Sequence, residues 1–553
     1  MADTNYIIAI GGTGARVARA LIHICDCGHL NIKEIKLLVI DPDTKNGSKY
    51  ELQRVLELYE SCRSVLFNET PDESCAMFKP KISKALSGNR FANEEWCVSP
   101  VQGAPGQVAG NSEYHLNDYV IHENIPVAEH FMKALYSREE YEDKNMYDGF
   151  FAHPSIGAHT FARWLNNSPE FASFLAGIQE ALHKGNVKIA IVGSSFGGTG
   201  ASGFTNVARK IRSFADALQG KGNNKVIISG EFFLPYFIFL PTDDKNEEIP
   251  PDRRIDIDEF LKAAKNAAAF YSDTNASDVF DRVTALGTPG SGSVRIVRNI
   301  YADKGERQDN WPHMLEVFGA LEIKGFLEEE DSACINNDTP VWRGIGVDQT
   351  SFNNITWNDL PHSGGMRDLL NKFLLYSYIY VPAVLDKFIA RGSKNYTLKN
   401  YRNEGRHFSP INRRPFTKVN LFGQSTDWDI AFDEDAIERF INLNHYFFKH
   451  SQWLCRLFSE FEHDPNKGYG DPLFTSLINR DILLHRATNP WNTSIYHDNL
   501  GNRFIGNYNF TYAELNADID REVKKQIKSD HNISGATGEL LRGVYAQVAK
   551  RFR

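Results

Sequence analysis

Nowhere does this chain carry the ~18 consecutive apolar residues that a bilayer-spanning helix needs. Its most apolar stretches, residues 232–240 and 373–385, read as a buried strand and a buried helix, and no membrane partner is expected. The opening residues, MADTNYIIAIGG, lack a basic segment followed by an apolar one, so no secretion signal is expected. There is no surplus of positive charge. The formal net charge is −9, which argues against a nucleic-acid partner held on a basic face. Cysteine is scarce: seven residues, an odd number at irregular spacing, exclude a regular disulfide framework and point to a reducing, cytoplasmic compartment. His23, Cys25, Cys27 and His29 invite a metal reading. Alternate positions on a helix fall on different faces, however, so these four cannot converge on one ion, and no metal site is expected there. Internal repeats and low-complexity tracts are also missing, which excludes solenoid architecture.

What the chain does have is length and glycine in telling places. Its 553 residues allow two to four domains, and 42% hydrophobic with 24% charged residues is the balance of a folded globular chain. Residues 187–203, VKIAIVGSSFGGTGASG, begin as a β-branched apolar run suited to a buried strand. Five glycines and four hydroxyl residues then fall within positions 193–203, ahead of a helical pattern over 204–218. Strand, glycine loop and helix together present bare backbone N–H groups and a positive helix end to an anion. Gly197, Gly198, Thr199 and Gly200 are the expected binding residues, with Ser202 as a further hydroxyl donor. A tight turn with no ligand is the plainer reading, but it needs fewer glycines than are present.

A second such unit opens the chain. Residues 6–10 are an apolar strand, Gly11, Gly12, Thr13 and Gly14 form a glycine loop, and residues 15–25 repeat apolar positions at helical spacing. A second strand, 35–40, ends at Asp41. Alone, this unit resembles a dinucleotide-binding Rossmann fingerprint, with Asp41 near the place of a ribose-binding acid. Val17 stands where that fingerprint has its third glycine. A third loop, residues 152–157 with Pro154 and Gly157, precedes a helix expected from about 158; taken on its own, an ordinary helix start is the better reading of it. Residues 45–145 read as a long insertion, and a long helix is expected over about 310–327. Another apolar helix is expected over 368–388, with Pro382 as a kink. The remainder, 391–553, is mainly helical. Its aromatic-rich stretch 442–461 is either core or the docking face for a protein partner.

Taken in order, the three glycine-containing loops resemble the phosphate loops of the tubulin and FtsZ superfamily. Residues 197–203, GGTGASG, are close to that family's glycine-rich signature. Residues 152–157 are similar to its A-N-P-E-hydrophobic-G loop, with His153 for Asn and Ser155 for Glu. Residues 39–44 resemble its second loop. The likeness covers about residues 5–330 and is nearest to bacterial tubulin-like proteins outside the cell-division group. It implies an α/β, Rossmann-like, parallel-sheet GTPase domain over 1–330. It also implies GTP or GDP held with Mg2+ and self-association into filaments or oligomers; beyond the likeness, a second domain is expected to start over 331–390 with the long apolar helix. It further implies an Asn or Asp at the head of the long helix that reads the guanine edge. Asn310 is the choice, and Asp309 with Asn310 as plain helix caps is the other reading. The family's water-orienting N-x-D segment maps to residues 336–338, with Asp338 as the catalytic acid and residues 357–359 as a rival. Two further functions stay open: a non-catalytic nucleotide-binding scaffold, and an NAD-dependent oxidoreductase built on the first unit.

Overall fold

The structure is a computed structural model. It describes residues 4–43, 46–67, 75–86, 96–104, 113–122, 126–150, 153–218, 224–237, 239–243, 257–273, 278–288, 299–301, 311–331, 341–346, 355–381, 417–419, 425–427, 434–458 and 537–551, with a few isolated positions besides. The principal elements begin with β1 (Thr4–Ile10), α1 (Gly11–Asp26), β2 (Glu34–Ile40), α2 (Gly47–Leu66), β3 (Lys81–Lys84) and β4 (Cys97–Val98). Next come α3 (Leu116–His122), α4 (Pro126–Leu135), α5 (Pro154–Asn167), α6 (Pro169–Leu182), β5 (Val187–Ser194), α7 (Gly198–Leu218) and β6 (Val226–Phe233). Then follow β7 (Phe239–Asp243), α8 (Ile257–Asp273), β8 (Arg282–Gly287), β9 (Asn299–Tyr301), α9 (Met314–Glu328) and β10 (Val341–Gly346). The last are α10 (Met366–Leu375), β11 (Thr417–Val419), β12 (Ser425–Asp427), α11 (Glu434–Phe458) and α12 (Thr537–Arg551).

The chain divides into two compact units that are not contiguous in sequence. The first comprises Met1–Leu21, Ile32–Arg54 and Ile82–Phe352; the second comprises Ile22–Asn31, Val55–Lys81 and Asn353–Arg553. The first unit is α/β and Rossmann-like. Its sheet runs in the order β10-β8-β6-β5-β1-β2-β3, with β4 also on β2. The pairs β1–β2, β1–β5, β5–β6, β6–β8, β8–β10 and β2–β4 are all parallel. Parallel strands buried on both faces need near-continuous apolar runs, and β5 and β6 are buried at every position. On one face Ile8, Ile10, Ile189 and Ile191 join a core with Phe161 of α5, Phe171 and Phe174 of α6, and Phe204 of α7. Helix α9 packs against β5, β6 and β8. It is buried from Met314 to Leu327, and at Gly319 a Cβ would come within 2.6 Å of the Phe233 ring.

Helix starts differ from the sequence expectation in one consistent way. The glycines of 11–14 and 198–200 are the first turns of α1 and α7, and Pro154 begins α5. A glycine costs ~1 kcal/mol inside a helix but little in an end turn whose amides have no carbonyl partner. Helix α9 starts at Met314 rather than near 310, because His313 and Glu316 form a reciprocal capping box there. Pro382, Asp309, Asn310 and the whole segment 336–338 lie outside the described residues.

Among the described residues, the second unit is built from helices with one small antiparallel pair, β11–β12. After α10 the chain continues through a π-turn at Tyr376–Tyr380. Tyr446, Phe447 and Trp453 of α11 are buried, so the described part of the aromatic-rich stretch belongs to the core. Described cysteines are free. No helix among the described residues is long and apolar enough to cross a membrane.

Candidate functional site

The strand order contains a reversal. From β1 the chain goes out to β2 and β3 on one side, then returns to place β5, β6 and β8 on the other. In open parallel sheets the crevice at the carboxyl ends of the two strands flanking such a reversal is where ligands bind. Here those strands are β1 and β5: β1 runs directly into the glycine-led α1, and β5 reaches the glycine-led α7 three residues later. The loops are close enough to touch: a Cβ on Gly11 would lie 3.3 Å from Thr199 Cβ and 3.4 Å from the Gly200 nitrogen. Gly11 has φ +70°, a conformation open to glycine at little cost. The structure therefore brings Gly11, Gly12, Thr13 and Gly14 together with Gly197, Gly198, Thr199 and Gly200.

Two further segments reach the same rim. Asp41 ends β2, and its carboxylate accepts the Asp43 amide at 3.1 Å and the Asn46 side-chain N–H at 3.2 Å. Asn46 then accepts from the Ser48 and Lys49 amides and so caps α2. A Cβ on Gly12 would meet that Asn46 side chain at 3.0 Å. Burial pushes the Asp41 carboxyl up to about 6, with Lys49 partly offsetting. Both Asp41 oxygens thus hold their own loop, which is a different task from the ribose contact expected of it. On the other side, a Cβ on Gly198 would meet Phe150 at 2.8 Å, and one on Gly149 would meet Asp43 at 3.6 Å.

The 152–157 segment is positioned here but its glycine has a packing role. A Cβ at Gly157 would sit 2.2 Å from Ser202 Oγ, so Gly157 lets α5 close on α7. Pro154 occupies the first helical turn, where its missing N–H costs nothing. Ser202, expected as a ligand donor, instead donates to the Gly198 carbonyl at 2.6 Å within its own helix. Gly14 and Gly200 are likewise packed against backbone: their Cβ atoms would approach Ala9 C and Ser194 N at 2.7 Å each. Gly12 and Gly197 are only half-buried, so the loop tips stay open to a ligand.

Sequence reasoning missed the residues beneath the loops. Arg16, one turn into α1, is buried and its Nε donates to Glu316 Oε1 at 2.5 Å. Its guanidinium also bonds the Trp311 carbonyl and lies over the Phe237 ring. The Tyr236 hydroxyl donates to Glu316 at 3.0 Å. Glu316 three residues after His313 is a capping signal visible in sequence; the Arg16 pairing across 300 positions has no local signal.

The first turns of α1 and α7 touch, and first-turn amides have no carbonyl partner within their own helix, so the arrangement suits an anion such as a phosphate chain. Comparisons with protein-family models, with curated proteins and with solved structures return no match.

Proposed function

We propose that this chain is a tubulin-like protein that binds GTP or GDP with Mg2+ and assembles with copies of itself, hydrolysing GTP at the contact between copies. The observation that carries the reading is the meeting of two glycine-led helices at the reversal of strand order. A single dinucleotide fingerprint uses one such turn; the turn at Gly197–Gly200 has no part to play in it. The commitment of both Asp41 oxygens to the 41–46 loop further disfavours NAD.

In this reading the amides of Gly12, Thr13, Gly198 and Thr199 bind phosphate oxygens, and the aligned helix dipoles add to the attraction. The half-buried Gly12 and Gly197, with no side chain to fill the crevice, fit such a group. Mg2+ would supply charge neutralisation on the phosphates. Asn310 is assigned to the guanine edge, and Asp338 of one copy to the attacking water at the next. The biological compartment consistent with this is the cytoplasm, and residues 391–553 would carry any protein partner.

The first experiment is nucleotide extraction from the purified full chain, run beside GTP-dependent light scattering. Released GDP or GTP and scattering that rises with GTP are the expected results. NAD in the extract, or an empty extract with no thermal shift on adding GTP, overturns the reading. Nucleotide without scattering favours the scaffold or a missing partner; where scattering does rise with GTP, Asp338→Ala is the next variant and should abolish turnover.

A further inference from the structure

The last turn of α1 carries a second group of functional side chains, wholly within the second unit. His23 and Asp26 stand three apart, a spacing that puts both on one helix face. Opposite them are Tyr446 and His450 of α11, again on one face at a spacing of four. All four are buried. Asp26 Oδ2 lies 3.4 Å from His23 Nδ1, 3.7 Å from His450 Nε2 and 2.6 Å from the Tyr446 hydroxyl. The same hydroxyl is 3.3 Å from His23 Nδ1. Bonds of ~2.0–2.1 Å around a tetrahedral ion put neighbouring ligand atoms about 3.3 Å apart, close to the 3.3, 3.4 and 3.7 Å separations made by the histidine nitrogens, while the 2.6 Å contact is a hydrogen bond that Tyr446 donates to Asp26.

We propose that His23, Asp26 and His450, with the Tyr446 oxygen in the fourth position, form a metal centre for a divalent transition ion, with zinc the first candidate. One of the proposed ligand atoms, the buried His450 Nε2, has no hydrogen-bond partner. A buried polar atom is costly when unmatched, and an ion bound there would satisfy it. His450 also has the outer contact that ligating imidazoles use to fix their ring. Its Nδ1 lies 3.3 Å from the Tyr378 hydroxyl, leaving Nε2 directed at Asp26. Two imidazole nitrogens and a carboxylate are a donor set for zinc, iron, cobalt or nickel rather than for calcium or magnesium. The neighbouring Cys27 is not a member, since its thiol donates to the Ile24 carbonyl at 3.3 Å. Four protein donors and full burial describe a closed structural site, filled as the second unit folds rather than by exchange afterwards.

The test uses the full chain, unfolded and refolded with Zn2+ or Co2+, then freed of loose metal and assayed for bound ion. One equivalent per chain and ligand-field absorption from bound Co2+ are expected. Both should be lost in His450→Gln and Asp26→Asn, with folding checked by circular dichroism. The Trp453 ring lies 4.6 Å from His23, centroid to centroid, so Co2+ should also quench its emission, an effect that Trp453→Phe removes. If the two ligand variants do not fold, this Trp453 comparison carries the test. Refolded wild type without stoichiometric metal and without ligand-field bands overturns the proposal. So does metal that stays in both ligand variants.

Discussion

The glycine-led crevice of the first unit and the histidine–aspartate cluster of the second use opposite materials. The crevice is made of backbone: Gly11–Gly14 and Gly197–Gly200 contribute N–H groups, and its tips are half-open. The cluster is made of side chains, four of them closed off in the core. Backbone donors are positioned by the strand and helix on either side of them, so a short stretch of sequence suffices. Side-chain clusters depend on distant segments being brought together, here α1 and residues more than 400 positions later, as in the Tyr446–Asp26 bond.

The contrast breaks most severely if the crevice also depends on buried charge. Glu316→Ala leaves Arg16 buried without its carboxylate and should cost ~3–5 kcal/mol in denaturant unfolding of the full chain. A cost below ~1 kcal/mol would mean that Arg16 finds water or another acceptor easily. In the second unit, Tyr446→Phe removes one hydroxyl from the cluster and leaves Asp26 short of a donor. A loss of ~1–3 kcal/mol is expected, read in the same way.

Gly12→Ala sharpens the contrast from the other side. The added Cβ meets the end of the Asn46 side chain, which can move, so stability should change by less than ~0.5 kcal/mol. Nucleotide affinity, measured by calorimetry, should nonetheless fall about tenfold, ~1.4 kcal/mol. Equal losses in both would make Gly12 a packing residue like Gly157.

A pH-dependent effect concerns Glu231 of β6. Burial, with Glu322 adding and Arg282 opposing, pushes its carboxyl up to about 7. The unfolded chain releases that proton near the ordinary value of 4.5, while the folded chain keeps it to about 7. Across that window the folded state binds more protons, so stability falls as pH rises and levels off above it. Glu231→Gln removes this penalty. Its gain in melting temperature over wild type should therefore be larger at about pH 8 than at about pH 5.

Much of the first unit was legible because its signals are local. The runs over 6–10, 35–40 and 187–192 announced β1, β2 and β5, and the glycines after β1 and β5 marked the two turns that meet. Reading those glycines as free loops rather than first helical turns was the error. It arose because glycine disfavours helix interiors but not their ends. The start of α9 was misplaced for a similar reason. Asp and Asn are the usual cap residue types, yet it is His313 with Glu316 that makes the box. That α1 and α2 each contribute to both units has no local signal.

By itself the sequence determined the parallel α/β character of the first unit and the two glycine turns, because apolar runs and missing Cβ atoms act within a few residues. It also determined that His23, Cys25, Cys27 and His29 do not share one helix face. Only the tertiary structure decided that the two turns touch at the strand-order reversal, that Arg16 lies under them on Glu316, and that His23 and Asp26 meet Tyr446 and His450. Those partners are hundreds of residues apart, and it is the burial of apolar faces, not any local preference, that sets their distance.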